Sequence, residues 1–225
     1  MNRECVVKLE DLSASYQEKE VLQNIHLRIS RGEFVGLVGE SGSGKSTLAY
    51  IIAGWKKPTK GKVRINDQTI GFVMQNPQTS FDPLKTIFFT LRETRIARLK
   101  SVKAPIPKRR EMIELFETWF LKMGLAKDRL FDYPHQFSGG ELQRISIVRA
   151  LLRDASFIIL DEPTSMLDVL VQAKIIYLLI DLQKELNLTY LFISHDIDLI
   201  HKVCDYFYEI QNGNIIKKET KEGFV

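Results

Sequence analysis

A glycine-rich segment between two apolar stretches constrains this chain more than any other feature. Residues 34–38 form an apolar run that predicts a buried strand, and residues 45–53 predict an apolar helix that ends at Gly54. The segment between them has the spacing glycine, four residues, Gly-Lys-Ser, which turns backbone N–H groups toward a phosphate at a helix N-terminus. We therefore expect a nucleoside triphosphate to bind here, with contacts from Gly39, Glu40, Ser41, Gly42, Ser43, Gly44, Lys45, Ser46 and Thr47.

Two of these residues have side chains suited to particular parts of the ligand. Lys45 is expected to contact the β- and γ-phosphates, and the hydroxyl of Ser46 is expected to bind Mg²⁺. The loop thus predicts triphosphate binding, and it leaves open what the energy of hydrolysis drives.

Two consecutive acids, Asp161 and Glu162, end a second apolar run at residues 157–160. Ligands of an open α/β sheet bind at the carboxyl ends of its strands, and successive strand residues point to opposite faces. We therefore expect the two acids to have different roles. Asp161 suits the Mg²⁺ site, through water, and Glu162 suits a base that orients or polarises the attacking water.

Alternation of strand and helix patterns predicts an α/β core. The Asn212-Gly213 pair predicts a type I′ hairpin near the end of the chain. A helical stretch that includes Leu84 is expected after Pro83, and residues 84–153 are interpreted as a helical lobe inserted into one domain, 1–225. Other strands are expected at 5–9, 21–30, 62–65, 71–74 and 189–194, and other helices at 111–123, 171–186 and 197–203.

The composition narrows the possible classes of protein. With 225 residues and 44% hydrophobic residues, the chain can bury the core of one large domain. Its net charge of +4 is too small to indicate a nucleic-acid partner, and none is expected. Cys5 and Cys204 lack metal-ligand spacing, which favours free thiols in a reducing compartment. We find no secretory signal and no apolar run near the roughly 20 residues of a membrane span, so another chain would supply any membrane part.

The segment at residues 137–144 reads Phe-Ser-Gly-Gly-Glu-Leu-Gln-Arg. It resembles the signature of ABC transporter ATP-binding subunits, usually Leu-Ser-Gly-Gly-Gln. The resemblance implies a P-loop NTPase core, with a mostly parallel sheet and an antiparallel N-terminal subdomain, plus the inserted helical lobe. It also implies that Ser138, Gly139 and Gly140 bind the γ-phosphate of ATP held by an opposing subunit. Phe137 and Glu141 depart from the pattern, and Glu141 suits the helix dipole but could repel phosphate.

Four further residues lie where this family has functional groups. Tyr16 resembles the aromatic residue that stacks on adenine, and Gln75 resembles the glutamine that touches Mg²⁺ and the attacking water. Asp168 ends a Ser-Met-Leu-Asp segment that resembles the loop crossing the dimer interface, and it could also cap the next helix. His195 resembles the histidine that contacts the γ-phosphate. The resemblance therefore gives Glu162, His195 and Gln75 as the catalytic set, with ATP and Mg²⁺ as cofactors.

Segments 75–83 and 133–137 are similar to the peptide and nickel importer branch of this family. That branch implies an importer ATPase at the cytoplasmic face of the membrane. Its partners would be a second, homologous ATPase subunit, two permease subunits and, indirectly, an extracellular solute-binding protein. The chain length favours nickel or a metal chelate as cargo, with peptides as the alternative. A soluble ABC ATPase and a module that binds nucleotide without hydrolysing it are the remaining alternatives.

Overall fold

Two β-sheets lie in the first of two units into which the chain divides in a computed structural model. The structure describes residues 3–16, 19–67 and 69–220. The first unit comprises the residues up to Phe72, Ser156–Glu162 and the chain from Leu179 onward. The second unit comprises Val73–Ala155 and Pro163–Leu178, so it contains the whole of the predicted helical lobe, the residues that flank it and the segment Pro163–Leu178.

The described residues contain nine strands and six α-helices. The strands are β1 (Cys5–Tyr16), β2 (Lys19–Ser30), β3 (Phe34–Val38), β4 (Lys60–Ile65), β5 (Ile70–Val73), β6 (Phe157–Asp161), β7 (Thr189–Ser194), β8 (Tyr206–Gln211) and β9 (Asn214–Thr220). The helices are α1 (Lys45–Ile52), α2 (Ile87–Ser101), α3 (Arg109–Lys122), α4 (Gly139–Leu151), α5 (Val169–Leu186) and α6 (Ile197–Val203). Short 3₁₀ helices lie at Gln78–Ser80, Lys127–Phe131 and Pro134–Gln136.

The larger sheet has the strand order β5-β6-β7-β3-β8-β9. Strand β3 pairs in parallel with β7 and β8, β6 pairs in parallel with β7, and β9 closes the edge antiparallel to β8. Every residue of β3, β6 and β7 is buried, which is why these strands are apolar on both faces rather than alternating. The predicted mostly parallel core is therefore confirmed.

The smaller sheet is antiparallel, with the order β2-β1-β4. Its strand β1 continues seven residues beyond the predicted end at Leu9, through register shifts that include one between Leu9 and Leu12. Asp11, in this irregular stretch, has a φ of 50°. Such a bulge interrupts the alternation of apolar residues on which the sequence prediction depended. The antiparallel subdomain that the family resemblance implied is confirmed.

The terminal hairpin forms as its turn sequence predicts. Asn212 and Gly213 have φ values of 46° and 76°, as a type I′ turn requires. A Cβ on Gly213 would lie 2.4 Å from the carbonyl oxygen of Val21, so glycine is required here for space as well as for conformation.

Buried aromatic side chains contribute to the interior of the second unit, beside a larger set of aliphatic ones. Phe88 of α2 packs against Phe116 of α3 with ring centroids 5.8 Å apart, and Phe116 and Phe120 are fully buried. The expectation that Leu84 belongs to the helical stretch was wrong, because α2 begins at Ile87 after the cap residue Thr86, whose side chain accepts a hydrogen bond from Phe89 N–H. Leu84 is 86% exposed.

No helix within the described residues is both long enough and apolar enough to cross a bilayer.

The buried aromatic packing of β7 gives a first prediction. Phe192 is fully buried and its ring contacts the Phe34 ring edge-on at 5.8 Å, so Phe192→Ala should lower the free energy of unfolding by about 3–5 kcal/mol. Urea unfolding measures this loss. Tyr177→Ala is the control, because Tyr177 is 69% exposed and its removal should change the midpoint little. Equal losses in the two variants would contradict the burial of Phe192.

Candidate nucleotide-binding site

The glycine-rich loop joins β3 to α1, and two of its glycines have a left-handed backbone. Gly42 and Gly44 have φ values of 80° and 110°, in the left-handed region that glycine adopts without strain. A Cβ on Gly44 would lie 2.7 Å from a methyl carbon of Leu22, whereas a Cβ on Gly42 would meet nothing within 4 Å. The loop is therefore packed on its protein side at Gly44 and open at Gly42.

Lys45 begins α1 and is only 6% exposed. Its Nζ donates to the carbonyl oxygens of Gly39 and Glu40, both at 2.7 Å. Burial lowers the pKa of the Lys45 ammonium, and the carboxylates of Glu162 and Asp161 act against that shift. Main-chain oxygens thus hold the ammonium at the loop, where a bound phosphate could accept a hydrogen bond from it.

The hydroxyl of Ser43 is buried and has no hydrogen-bond partner. A buried polar atom without a partner is costly, and such atoms often lie where a ligand completes the hydrogen bonds. Together with the Lys45 ammonium, this hydroxyl fits a bound anion at the loop. The residues present therefore suit a phosphate group.

Asp161 ends β6 and is 7% exposed. The Ser46 hydroxyl donates to its Oδ1 at 3.5 Å. Burial raises the pKa of the Asp161 carboxyl, the Ser46 hydrogen bond lowers it, the Glu162 charge raises it and the Lys45 charge lowers it, with a raised value as the result. A cation beside Asp161 would stabilise the ionised carboxylate.

The Mg²⁺ assignment can be tested against these donors. Across the described part of the chain, no three His, Cys, Asp or Glu side chains gather where they could hold a metal ion. One carboxylate and one hydroxyl, at Asp161 and Ser46, are instead a suitable partial set for Mg²⁺, which commonly completes its shell with water and substrate phosphates. The donors fit an ion that arrives with a nucleotide.

Glu162 follows the strand in an unusual backbone conformation. Its φ is 45°, and its N–H donates to the carbonyl oxygen of Ile193 at 3.0 Å. Its Oε2 lies 3.4 Å from Nδ1 of His195, the residue after β7. The two acids have different partners. Because β6 ends at Asp161, a left-handed backbone rather than strand alternation directs Glu162.

Other predicted residues lie in the second unit. Gln75 follows β5, is exposed, and its Nε2 donates to the Ser165 hydroxyl at 3.3 Å. Asp168 accepts hydrogen bonds from the N–H groups of Leu170 and Val171, at 3.1 and 3.0 Å, so it caps α5 as the sequence analysis allowed. The side chain of Tyr16 lies outside the described residues.

The signature segment opens α4 as predicted. Ser138 is the N-cap, and its Oγ accepts from Glu141 N–H at 3.3 Å. Gly140 is buried, and a Cβ there would lie 2.5 Å from Cγ1 of Val171, in the first turn of α5. Gly139 would place a Cβ 3.6 Å from Leu167. The exposed Ser138 and the first N–H groups of α4 thus form a second helix N-terminus suited to an anion.

The Glu141 carboxylate completes a capping box at this terminus. Its Oε2 accepts from the Ser138 N–H at 2.8 Å and from the Ser138 hydroxyl at 2.9 Å, and its Oε1 lies 2.7 Å from Nη1 of Arg129. Burial acts to raise the pKa of the Glu141 carboxyl, but the hydrogen bonds from Ser138 and the charges of Arg129 and Arg144 lower it overall. The carboxylate is therefore stabilised in its charged form.

Three contacts of the predicted residues involve partners that the sequence analysis missed. Ser165 contacts Gln75, Arg129 contacts Glu141, and the buried Gln143 donates from Nε2 to the main-chain oxygen of Met74 at 3.4 Å. Ser165 belonged to the quoted segment before Asp168 and so carried a local signal. Gln143 likewise belonged to the quoted signature segment. Arg129 carried no local signal, because its partner is separated from it by 12 positions.

The fold and its loop define the class of P-loop nucleoside triphosphatases. Within that class, the profile of the ABC transporter family matches residues 22–165, and the chain belongs to this family as an ATP-binding, ATP-hydrolysing subunit.

Curated relatives of this chain include two dipeptide transport ATP-binding proteins, both named DppF. The protein from Haemophilus influenzae is 36% identical over 94% of this chain and 67% of its own length. The protein from Escherichia coli is 35% identical over 90% of this chain and 64% of its own length. The oligopeptide transport ATP-binding protein OppF of Lactococcus lactis is 35% identical over 89% of this chain and 66% of its own length.

Solved structures of ATP-binding cassettes have the same fold. A dimeric structure of the cassette MJ0796 in a post-hydrolysis state, bound to ADP and Pi, is 31% identical and superposes with a TM-score of 0.81 over 97% of this chain and all of that one. Another dimeric structure of the same cassette is 30% identical, with a TM-score of 0.82 over the same shares of the two chains.

The position of the Lys45 ammonium gives a second prediction. Removing a charged donor to phosphate costs about 1.5–3 kcal/mol, so Lys45→Ala should weaken ATP binding about tenfold or more. Equilibrium binding of a fluorescent ATP analogue measures the change. Lys62→Ala, at an exposed position of β4, is the matched control and should bind like the parent. Unchanged affinity in a folded Lys45→Ala variant would contradict the phosphate contact.

Proposed function

We propose that this chain is the ATP-hydrolysing subunit of a peptide importer and that it acts as one half of a two-subunit motor. The main support is that the anion-binding groups of the chain are distributed over its two units. The loop with Lys45, Asp161, Glu162 and His195 belongs to the first unit, whereas the helix terminus at Ser138 belongs to the second. Two anion-binding helix termini, one in each unit, suit an arrangement in which each ATP is held by the loop of one subunit and the signature of another.

The residues of the first unit are assigned the following roles. Lys45 binds the β- and γ-phosphates, and Ser46 and Asp161 hold Mg²⁺, which neutralises charge on the transferred phosphoryl group when bound. Glu162 acts as the base that orients the attacking water, and His195, 3.4 Å from it, supports the carboxylate and contacts the γ-phosphate. Tyr16 stacks on adenine.

The residues of the second unit complete the proposed cycle. Gln75 contacts Mg²⁺ and the attacking water. Ser138, Gly139 and Gly140 close on the γ-phosphate of the opposing subunit, and Asp168 crosses the interface between subunits. ATP binding closes the pair, and hydrolysis reopens it, because the closed state has the higher affinity for ATP. Two permease subunits, served by an extracellular solute-binding protein, receive this motion at the cytoplasmic face of the membrane.

Peptides are the cargo class that the comparisons favour. The relatives from Haemophilus influenzae, Escherichia coli and Lactococcus lactis are named for dipeptide or oligopeptide transport. The sequence preference for nickel came only from the length of the chain, which says nothing chemical about cargo. We therefore infer peptide import, and we take nickel import as the competing outcome of the test.

The base assignment gives a third prediction. Glu162→Gln keeps the size and polarity of the side chain but removes its basicity, so ATPase activity should fall about 10²- to 10⁴-fold while ATP binding persists. The variant should then accumulate as an ATP-bound dimer, which size-exclusion chromatography with light scattering detects. Glu114→Gln, the same change at an exposed acid of α3, is the control and should stay near the parent rate. Hydrolysis at the parent rate by Glu162→Gln would refute the assignment.

A fourth prediction concerns the cargo. Cells in which this chain carries Lys45→Ala should lose uptake of a labelled dipeptide or oligopeptide and keep normal accumulation of radioactive nickel. The opposite pattern would show metal import. Normal uptake of both, with no permease subunit co-purifying with the chain, would indicate an ABC ATPase outside transport and would refute the importer proposal.

A further inference from the structure

Arg129 makes four contacts in and just before the signature segment. Its Nη1 lies 2.7 Å from Oε1 of Glu141, its Nη2 donates to the main-chain oxygen of Gln136 at 2.6 Å, and its Nε lies 3.1 Å from Oδ2 of Asp132. Its guanidinium carbon lies 4.1 Å from the centroid of the Phe137 ring. All these residues belong to the second unit. One side chain thus connects the segment that enters α4 with the first turn of that helix.

Two of these contacts involve the residues at which the signature departs from the family pattern. Phe137 stands where leucine is usual, and Glu141 stands where glutamine is usual. The Phe137 ring offers a face to the guanidinium, which leucine would not do, and the Glu141 carboxylate offers a charge, which glutamine would not do. The two departures therefore share one physical partner, Arg129.

The charge of Glu141 poses a problem for an anion site. Its carboxylate binds the N–H and the hydroxyl of Ser138, and these are the groups at the helix terminus that a phosphate would approach. An uncompensated negative charge beside the Ser138 N–H would repel a phosphate bound there. Arg129 is 28% exposed at its side chain and Glu141 is 25% exposed, so the pair is partly shielded from water and from salt.

We propose that Arg129 is a positioning residue for the signature of this chain. It neutralises Glu141 and holds its carboxylate against the Ser138 N–H, so that the helix terminus accepts the γ-phosphate of the opposing ATP despite an acid in its first turn. This inference rests on the proposed function, in which the signature closes on ATP. It predicts that ATP binding needs Arg129 because Glu141 is charged, and not only because Arg129 stabilises the conformation of the segment.

The test is a double-mutant cycle on the full chain. Arg129→Ala should raise the KM for ATP about tenfold with a smaller effect on kcat. The Glu141 carboxylate, without its counter-charge, would repel the ATP phosphates and so weaken ATP binding more than it slows hydrolysis. The same substitution in a Glu141→Gln background should raise the KM less than twofold, because the neutral amide needs no counter-charge. If Arg129 only stabilises the conformation of the segment, its removal would give the same KM change in both backgrounds. That result would overturn the proposal.

Binding without turnover gives an independent measurement. In the Glu162→Gln background, Arg129→Ala should raise the ATP concentration for half-maximal dimer formation about tenfold, and Glu141→Gln should remove most of that increase. Arg110→Ala is the matched control, because Arg110 is 90% exposed on α3 and pairs only with Glu114 among the ion pairs described. Thermal unfolding verifies that each variant is folded, and Arg129→Gln replaces Arg129→Ala if the latter is not.

The outcomes separate this inference from the proposed function. If Lys45→Ala abolishes ATP-driven dimer formation but Arg129→Ala changes the half-maximal ATP concentration in neither background, the positioning role is wrong and the ATP motor stands. If ATP drives no dimer formation even in the Glu162→Gln protein that keeps both Arg129 and Lys45, the proposed function itself is wrong. The inference is then wrong with it.

Discussion

Hydrogen bonds between parallel strands align β3, β7 and β6 so that their carboxyl ends share one edge of the sheet. The register pairs Val38 with Ser194 and Asp161 with Ile193. The residues that follow are therefore neighbours: the glycine-rich loop after β3, His195 after β7 and Glu162 after β6. A shift of one residue would reverse the direction of every side chain in the moved strand and separate these groups. Main-chain pairing in the buried core thus sets the geometry of the proposed chemistry.

The charged groups at this edge influence one another. Burial disfavours the charged forms of Lys45 and Asp161, so the pKa of Lys45 is lowered and that of Asp161 is raised. The neighbouring opposite charges partly offset these two shifts. Main-chain oxygens receive the Lys45 ammonium, while the Ser43 hydroxyl has no partner. A triphosphate with its cation would provide the counter-charges and the missing hydrogen bond. The site is therefore built at some cost to the folded chain, as ligand sites commonly are.

Local patterns predicted the elements that local forces determine. The apolar runs of β3, β6 and β7, the turn at Asn212-Gly213 and the cap at Ser138 follow from burial, backbone preference and capping within a few residues. The start of α2 was placed too early because Leu84 is apolar but exposed. Arg129 was missed because its ion pair with Glu141 depends on tertiary packing rather than on a motif. The argument that strand alternation separates Asp161 from Glu162 was incomplete, since β6 ends at Asp161 and Glu162 has a left-handed backbone.

The close approach of Gly140 to Val171 has a kinematic consequence. With no room for even a methyl group between them, the first turns of α4 and α5 cannot slide past each other without a clash. Ser138, at the start of one helix, and Asp168, at the start of the other, must then undergo nearly the same displacement. In the proposed motor, a movement that carries Ser138 toward a nucleotide would carry Asp168 at the same time, so the two proposed contacts with the opposing subunit would form in a single concerted event.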